Sequence, residues 1–368
     1  MIGRGMSIQK SQSIFFVVPY PKGAAPGQRF RYEQYVDLLL AEGHQVHFFP
    51  FLSDRAWEVM YSPKRIFLKS YYLAAGMIKR VFLLFRLIGV DTVFIYREAA
   101  PLGPPLMEWM MAKIFRKKII YDFDDAIWTT DKKIEPWLER TMRWRGKVAN
   151  ICRWSTTVSC GNEYLASYAR KFNGHVVINP TTVDTDNVHN PELFPRKISE
   201  RLCIGWTGSH STLSYLESLA PVLKMIEAKH PYVYFLVIAN KPPKLNLDRC
   251  VFKQWSSENE IKDLMLLDIG IMPLPDDEWT RGKCGFKAIQ YMALEIPALV
   301  SPVSINRDIV EPGVTGFWCE TETEWLRHID DLVSNAALRK QLGVNGRKKV
   351  IANYSVASNA FNFLSIFE

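Results

Sequence analysis

The run Arg281-Gly-Lys-Cys-Gly-Phe-Lys287 places three cations, Arg281, Lys283 and Lys287, around Gly285. It opens a helix-like stretch, Ala288-Ile-Gln-Tyr-Met-Ala293, that leads into the apolar run Ala298–Val300. A helix N-terminus has unpaired N–H groups and a partial positive charge, so it attracts phosphate. Gly285 has no side chain to hold a ligand away from the backbone. If Gly285 starts the helix, Lys287 and Gln290 share one face. A cation and an amide would then point at one ligand, and a nucleotide diphosphate with its ribose fits that pattern. Phe286 is counted with this segment. The plainer reading is a solvated basic loop before a core helix.

Other stretches also carry chemistry. Ile204-Gly-Trp-Thr-Gly-Ser-His-Ser-Thr212 reads as a strand, a Gly/Ser/Thr turn and a helix start. Such a turn can cradle phosphate, with Gly208 giving backbone access and Ser209 and Thr212 offering hydroxyls. It can equally be a tight turn capped by Ser209 or Ser211. In Ile119-Ile-Tyr-Asp-Phe-Asp-Asp125, alternation puts Asp122 and Asp124 on one side of a strand and Asp125 on the other. Three carboxylates there must be solvated, paired or metal-bound. One reading has them capping a neighbouring helix or pairing with Arg97.

The elements that must position these residues follow from periodicity. Short apolar runs at 14–18, 46–49, 93–96, 118–121, 156–159 and 176–178 read as buried parallel strands separated by helix-length stretches. A second series follows at 202–206, 234–238, 251–252, 269–272 and 298–300. Two such series imply two doubly wound α/β domains. Pro180, Pro191 and Pro195 mark the boundary. Ligands of such sheets sit beyond the carboxyl ends of the strands, so the active site is expected in a cleft between the domains.

The segment around Gly285 resembles the donor-binding segment of the family 4 glycosyltransferases. Val176-Val-Ile-Asn-Pro-Thr-Thr-Val-Asp-Thr-Asp186 is similar to that family's interdomain crossing, and Glu311-Pro-Gly-Val-Thr-Gly-Phe317 to its Gly-x-x-Gly turn. The resemblance implies a GT-B fold. Residues 1–180 would form an acceptor-binding Rossmann-like domain and 181–352 a nucleotide-sugar-binding one, with 353–368 crossing back to the first. It implies transfer of a sugar from a nucleotide-diphosphate sugar to an acceptor hydroxyl with retention of configuration. The donor phosphate itself would take the proton. Arg281 and Lys287 would stabilise the leaving diphosphate, and Lys283 would bind it.

Gln290 stands where the family has a ribose-gripping glutamate. Gly282 stands where it has the glutamate eight residues earlier, and Asp276 and Asp277 are candidates to replace that carboxylate. Gly27 with Arg29 or Arg31 matches the family's Gly-rich loop and arginine near the donor phosphates. Asp124 or Asp125 would position the acceptor hydroxyl. Asp-x-Asp is also the metal signature of the GT-A fold, but the two-domain pattern argues for GT-B, so neither metal nor cofactor is expected. Two other readings use the same residues: another GT-B enzyme (a phosphorylase or epimerase), and a non-catalytic nucleotide-sugar or polyanion-binding module.

Composition agrees with a globular chain of two domains: 368 residues, 48% hydrophobic and 23% charged. The net charge of +8 is uneven, +10 over residues 1–184 and −2 over 185–368. A basic half suggests an anionic partner. Within it, residues 62–86 interleave Lys64, Arg65, Lys69, Lys79, Arg80 and Arg86 with aromatic and aliphatic residues. That suits the headgroup region of an anionic membrane, and a saccharide or lipid-linked acceptor in surface polysaccharide assembly. Two ordinary helices with snorkelling cations would read the same way. No signature for nucleic acid is evident. The six cysteines are scattered and read as reduced thiols. The polar first ten residues do not read as a secretory signal, and the 66–90 stretch is too interrupted by charge to span a membrane. A cytoplasmic location, peripheral on the inner face of the cell membrane, is expected.

Overall fold

The computed structural model describes residues 11–62, 64–132, 135–194 and 199–368. The polar residues 1–10, Pro63 of the basic segment and Pro195 of the boundary lie outside them.

Two six-stranded, wholly parallel sheets form. The first contains β1 (Ser13–Val18), β2 (Gln45–Pro50), β3 (Thr92–Tyr96), β4 (Lys118–Phe123), β5 (Thr157–Cys160) and β6 (Val176–Ile178), in the order β2-β1-β3-β4-β5-β6. The second contains β7 (Leu202–Gly208), β8 (Val233–Ala239), β9 (Cys250–Gln254), β10 (Ile269–Met272), β11 (Ala298–Val300) and β12 (Gly316–Trp318), in the order β12-β11-β10-β7-β8-β9. The central strands are largely apolar and buried on both faces, as helix-covered parallel sheets require. Eleven strands coincide with the apolar runs. β12, only three residues long and starting at a glycine, was not among them.

The chain divides into two compact units, 1–180 with 360–368, and 181–359. The terminal residues pack within the first unit: the Phe363 ring stacks on Tyr35 at 4.3 Å, and Phe367 lies 6.0 Å from Phe94. The Phe367 carbonyl accepts from Gln12 and Lys118. In each unit the chain leaves its first strand on one side and later returns to the other. The strand order therefore reverses between β1 and β3, and again between β7 and β10. Loops diverge at the carboxyl ends of those strands, and ligands of open α/β sheets bind there.

The basic segment forms one long helix, Ile66–Phe85, beside the edge strand β2. Its inner face carries Gly76, Arg80, Leu83 and Leu84. Gly76 lies against the Phe51 ring, where a Cβ would clash. Arg80 is not a headgroup-facing cation: it is 1% exposed, and its guanidinium donates to the carbonyls of Ala99, Phe49 (2.7 Å) and Val18 (2.8 Å). The spacing of charges along the sequence could not separate it from its exposed neighbours. Burial pulls its pKa down to about 10, against Glu108, which pulls it up. No helix of the described residues is long and apolar enough to cross a membrane.

Removing the Arg80 head takes a charged donor from the carbonyls of Ala99 and Phe49, and from that of Val18, which keeps the Phe51 N–H, so Arg80→Leu is expected to lower stability by about 2 kcal/mol or more. Urea unfolding checks this. A midpoint matching the parent chain would show that these bonds carry no net stability.

Candidate functional site

In the second unit, β7 ends at Gly208, and one tight turn, His210–Thr212, follows Ser209. A Cβ on Gly208 would meet the Trp206 ring and lie 2.9 Å from Thr212 Oγ1, so the turn folds directly onto the indole. The Thr212 hydroxyl donates to the Ser209 carbonyl at 3.1 Å. Ser209 and Ser211 hydroxyls pair at 2.7 Å, and Ser209 does not cap the turn with its side chain. His210 is tied to Asn240 by its backbone N–H (2.6 Å) and its ring (3.0 Å). The turn is thus built from its own residues and β8's end, with the Ser209 side chain on the surface.

The neighbouring loop follows β10. Asp277 caps the short helix Glu278–Arg281 in a reciprocal box with Thr280, accepting from its N–H at 2.8 Å. Asp276 pairs with Arg281 at 2.6 Å. These two aspartates were candidates to replace the carboxylate missing at Gly282. Asp277 is committed to the cap instead. The Asp276–Arg281 pair is exposed, and exposed pairs add little stability, so it does not lock Arg281. Arg281 holds the Asp276 carboxyl below its usual range.

The helix Phe286–Ala293 begins at Gly285, whose φ of +65° strongly favours glycine. Its missing Cβ points at the Ile309 side chain and would lie 3.2 Å from Asn306 Oδ1. The glycine therefore serves the turn and close packing on Ile309. Tyr291 fixes the helix across the sheet: its hydroxyl accepts from Thr207 N–H at 3.0 Å, and its ring covers Gly270. So anchored, the helix carries Lys287 to 5.4 Å from the Trp206 ring centroid. Lys283 stands 5.2 Å from that of Trp279. Both distances are those of cation–π contacts.

Gln290 does not share an open face with Lys287. It is 1% exposed, with its amide nitrogen 3.3 Å from His189 Nε2 and 3.4 Å from Glu260 Oε1. Trp255 Nε1 donates to the same Glu260 oxygen at 3.4 Å. A glutamate at position 290 would set two carboxylates together, whereas an amide donates. Glu260 and His189 lie 30 and 101 residues from Gln290 and carry no spacing signal.

In the first unit, the ends of β1, β3 and β4 converge. Gly27 lies in the short helical turn Pro26–Arg29 that follows β1, and a Cβ there would strike the Tyr96 hydroxyl and come 2.9 Å from Asp124 Oδ2. Asp124 accepts from Tyr96 Oη (2.7 Å) and from Arg97 Nε (3.0 Å) and Nη2 (2.8 Å), and Asp125 is ion-paired with the same guanidinium. Burial disfavours the Asp124 carboxylate, but Arg97 and Arg31 prevail and hold its pKa below the usual range. Arg97 itself sits at φ +61°, fixed by Tyr121 Oη donating to its carbonyl at 2.7 Å.

Asp122 stays inside β4 and takes a different ion-pair partner. It pairs with the fully buried Arg31 and accepts from Ser159 Oγ at 2.6 Å, while Arg31 also donates to the Asn179 carbonyl. Strand alternation does not divide the carboxylates as expected, because β4 ends at Phe123. Past that end Asp124 and Asp125 both turn to Arg97. Arg29 is half-buried with its guanidinium 4.7 Å from the Phe30 ring centroid. Among the described residues, no group of three His, Cys, Asp or Glu side chains is arranged to hold a metal ion.

Residues 241–349 match the model of the glycosyl transferases group 1 family. No curated protein matches the sequence. Among solved structures, the chain is similar to sucrose-phosphate synthase from Thermosynechococcus elongatus (TM-score 0.72, 16% identity, covering 97% of this chain and 98% of that one). It is similar also to a glycosyltransferase from Rickettsia africae (TM-score 0.67, 14% identity, 98% of each chain). A third is Alr3699/HepE from Anabaena, solved with UDP and glucose (TM-score 0.66, 12% identity, 97% of this chain and 99% of that one). The chain thus has the GT-B fold and carries within it a glycosyltransferase segment.

Gln290→Glu is expected to lower the unfolding midpoint, because a second buried carboxylate would face Glu260. Adding Glu260→Gln should restore much of the loss, giving a coupling energy of about 1 kcal/mol or more in a double-mutant cycle. Additive losses would mean that the two side chains do not interact.

Proposed function

We propose that this chain is a retaining glycosyltransferase of the family 4 type. It moves a sugar from a nucleotide-diphosphate sugar to an acceptor hydroxyl. The observation that carries the reading is Lys287, held over Trp206 at the start of the helix Phe286–Ala293, beside the strand-order reversal of the unit matching the family model. The UDP complex of the Anabaena neighbour supports a nucleotide-diphosphate donor.

The chemistry follows from charge. Breaking the bond between sugar and diphosphate builds negative charge on the leaving phosphate. Cations already aimed at that charge lower the barrier. Lys287 and Lys283 supply it from partly desolvated positions over indole faces, and Arg281 adds a guanidinium released from Asp276. The turn at Gly208–Thr212 offers its backbone and Ser209 to the donor, and the buried Gln290 acts through Glu260, which it positions for the ribose. With three cations in place, no metal is needed for charge neutralisation. In the first unit, Asp124 and Asp125 accept a hydrogen bond from the acceptor hydroxyl, with Gly27 and Arg29 alongside. The hydroxyl's proton passes to the leaving phosphate. We place the acceptor on a lipid carrier in surface polysaccharide assembly at the cytoplasmic face of the membrane.

The commitment of Asp277 to a helix cap favours a second reading, donor binding without transfer. Turnover separates the two. Lys287→Ala is expected to reduce kcat about 10²–10³-fold with little change in unfolding midpoint, and Lys287→Arg to recover part of it. Unchanged turnover would remove Lys287 from the site, and a parent chain that binds donor yet transfers to no acceptor would leave the binding module.

A further inference from the structure

The outer face of the helix Ile66–Phe85 is apolar where a solvated helix is normally polar. Phe67, Tyr71, Ile78, Val81, Phe82 and Phe85 are all exposed, Phe67 by 93%, Phe85 by 70% and Phe82 by 66%. At about 100° per residue they fall within roughly 100° of arc, opposite Gly76, Arg80 and Leu83, which face the sheet. So large a contiguous apolar surface on a folded chain marks an interaction site. The helix contains no acidic residue.

Two further observations say what covers this face. Lys79 and Arg86 stand on one flank of the stripe, with Lys64 and Arg65 at its start; all four are exposed. Beside the helix lies a half-open groove of about 550 Å³. It is lined by Phe48 and Phe49 of the edge strand β2 and by Phe82 and Phe85 of the helix, together with Lys79 and Arg86. The groove suits an elongated apolar group, and its two exposed cations suit a phosphate. A second copy of the chain would bring these cations against their own like charges. An acidic lipid surface satisfies both the stripe and its flank.

We propose that this face is a docking surface for an anionic phospholipid bilayer. The stripe lies among the acyl chains just beneath the headgroups, one acyl chain enters the groove, and Lys79 and Arg86 meet phosphates. Docking is independent of sugar transfer: it can be measured without donor or acceptor, so its failure leaves the transfer reading standing.

The test is co-sedimentation of the whole chain with phosphatidylcholine vesicles, with and without phosphatidylglycerol. The parent chain should bind the anionic vesicles preferentially and lose that preference in high salt. Lys79→Glu with Arg86→Glu should weaken binding at least tenfold, and Phe82→Ser with Phe85→Ser should do likewise. All four positions are exposed, so circular dichroism melts should match the parent. A water-soluble short-chain phosphatidylglycerol, kept below its micelle concentration, should bind saturably to the parent and not to the Phe82→Ser, Phe85→Ser variant. Equal vesicle binding by parent and variants overturns the proposal. So does a concentration-dependent dimer in light scattering that the serine variant abolishes, since the face would then cover a second copy. Vesicle binding without saturable short-chain binding overturns the acyl-chain groove.

Discussion

Every strand in both sheets runs in one direction within its sheet, and that constraint organises the rest. Parallel pairing forces a crossover after each strand, so helices cover both faces and all carboxyl ends lie along one edge. Where strand order reverses, two of those ends splay apart and their loops leave room for a ligand. In the second unit this gathers the turn after β7, the capped loop after β10 and the start of the helix Phe286–Ala293. In the first it gathers the loop after β1, Arg97 after β3 and Asp124 after β4. Residues far apart in sequence meet because their strands are neighbours.

Charge at these ends is held in place by specific partners. Asp122 and Arg31 form a buried pair that links the loop after β1 to β4, with Ser159 joining from β5 and the Asn179 carbonyl from beyond β6. A buried pair with its remaining valences satisfied is costly to break from either side. It gives the Asp124–Arg97 group a rigid floor. Lys283 and Lys287 each stand over an indole face as well, at 5.2 Å from Trp279 and 5.4 Å from Trp206. Arg80 shows a third solution, a guanidinium used as a three-way clamp for backbone carbonyls.

Much of the fold was legible because buried parallel strands are largely apolar runs, a local signal. The three-residue β12 offers too little of that signal. Glycines were legible as special but not in purpose: Gly285 is dictated by a left-handed backbone and by Ile309, and Gly27 by the approach of Tyr96 and Asp124. The sequence marked Asp122, Asp124 and Asp125 as a group, yet β4 ends between the first and the others, which sends them to different arginines. Gln290 looked like a weakened glutamate. Its environment makes the amide sensible, since its nitrogen faces the Glu260 carboxylate at 3.4 Å. No periodicity links those two residues. In the helix Ile66–Phe85 the alternation of cations and apolar residues was plain, but only packing reveals that Arg80 is inside and Phe67 outside.

The central claim is that the second unit holds a nucleotide-diphosphate sugar by its own cations. It is tested most directly by thermal shift with UDP-, GDP-, dTDP- and ADP-sugars, each with and without a chelator. The account predicts stabilisation by one nucleotide class, insensitive to chelator and lost in Lys287→Ala. Stabilisation that requires a divalent ion, or that survives the loss of Lys287, would contradict it.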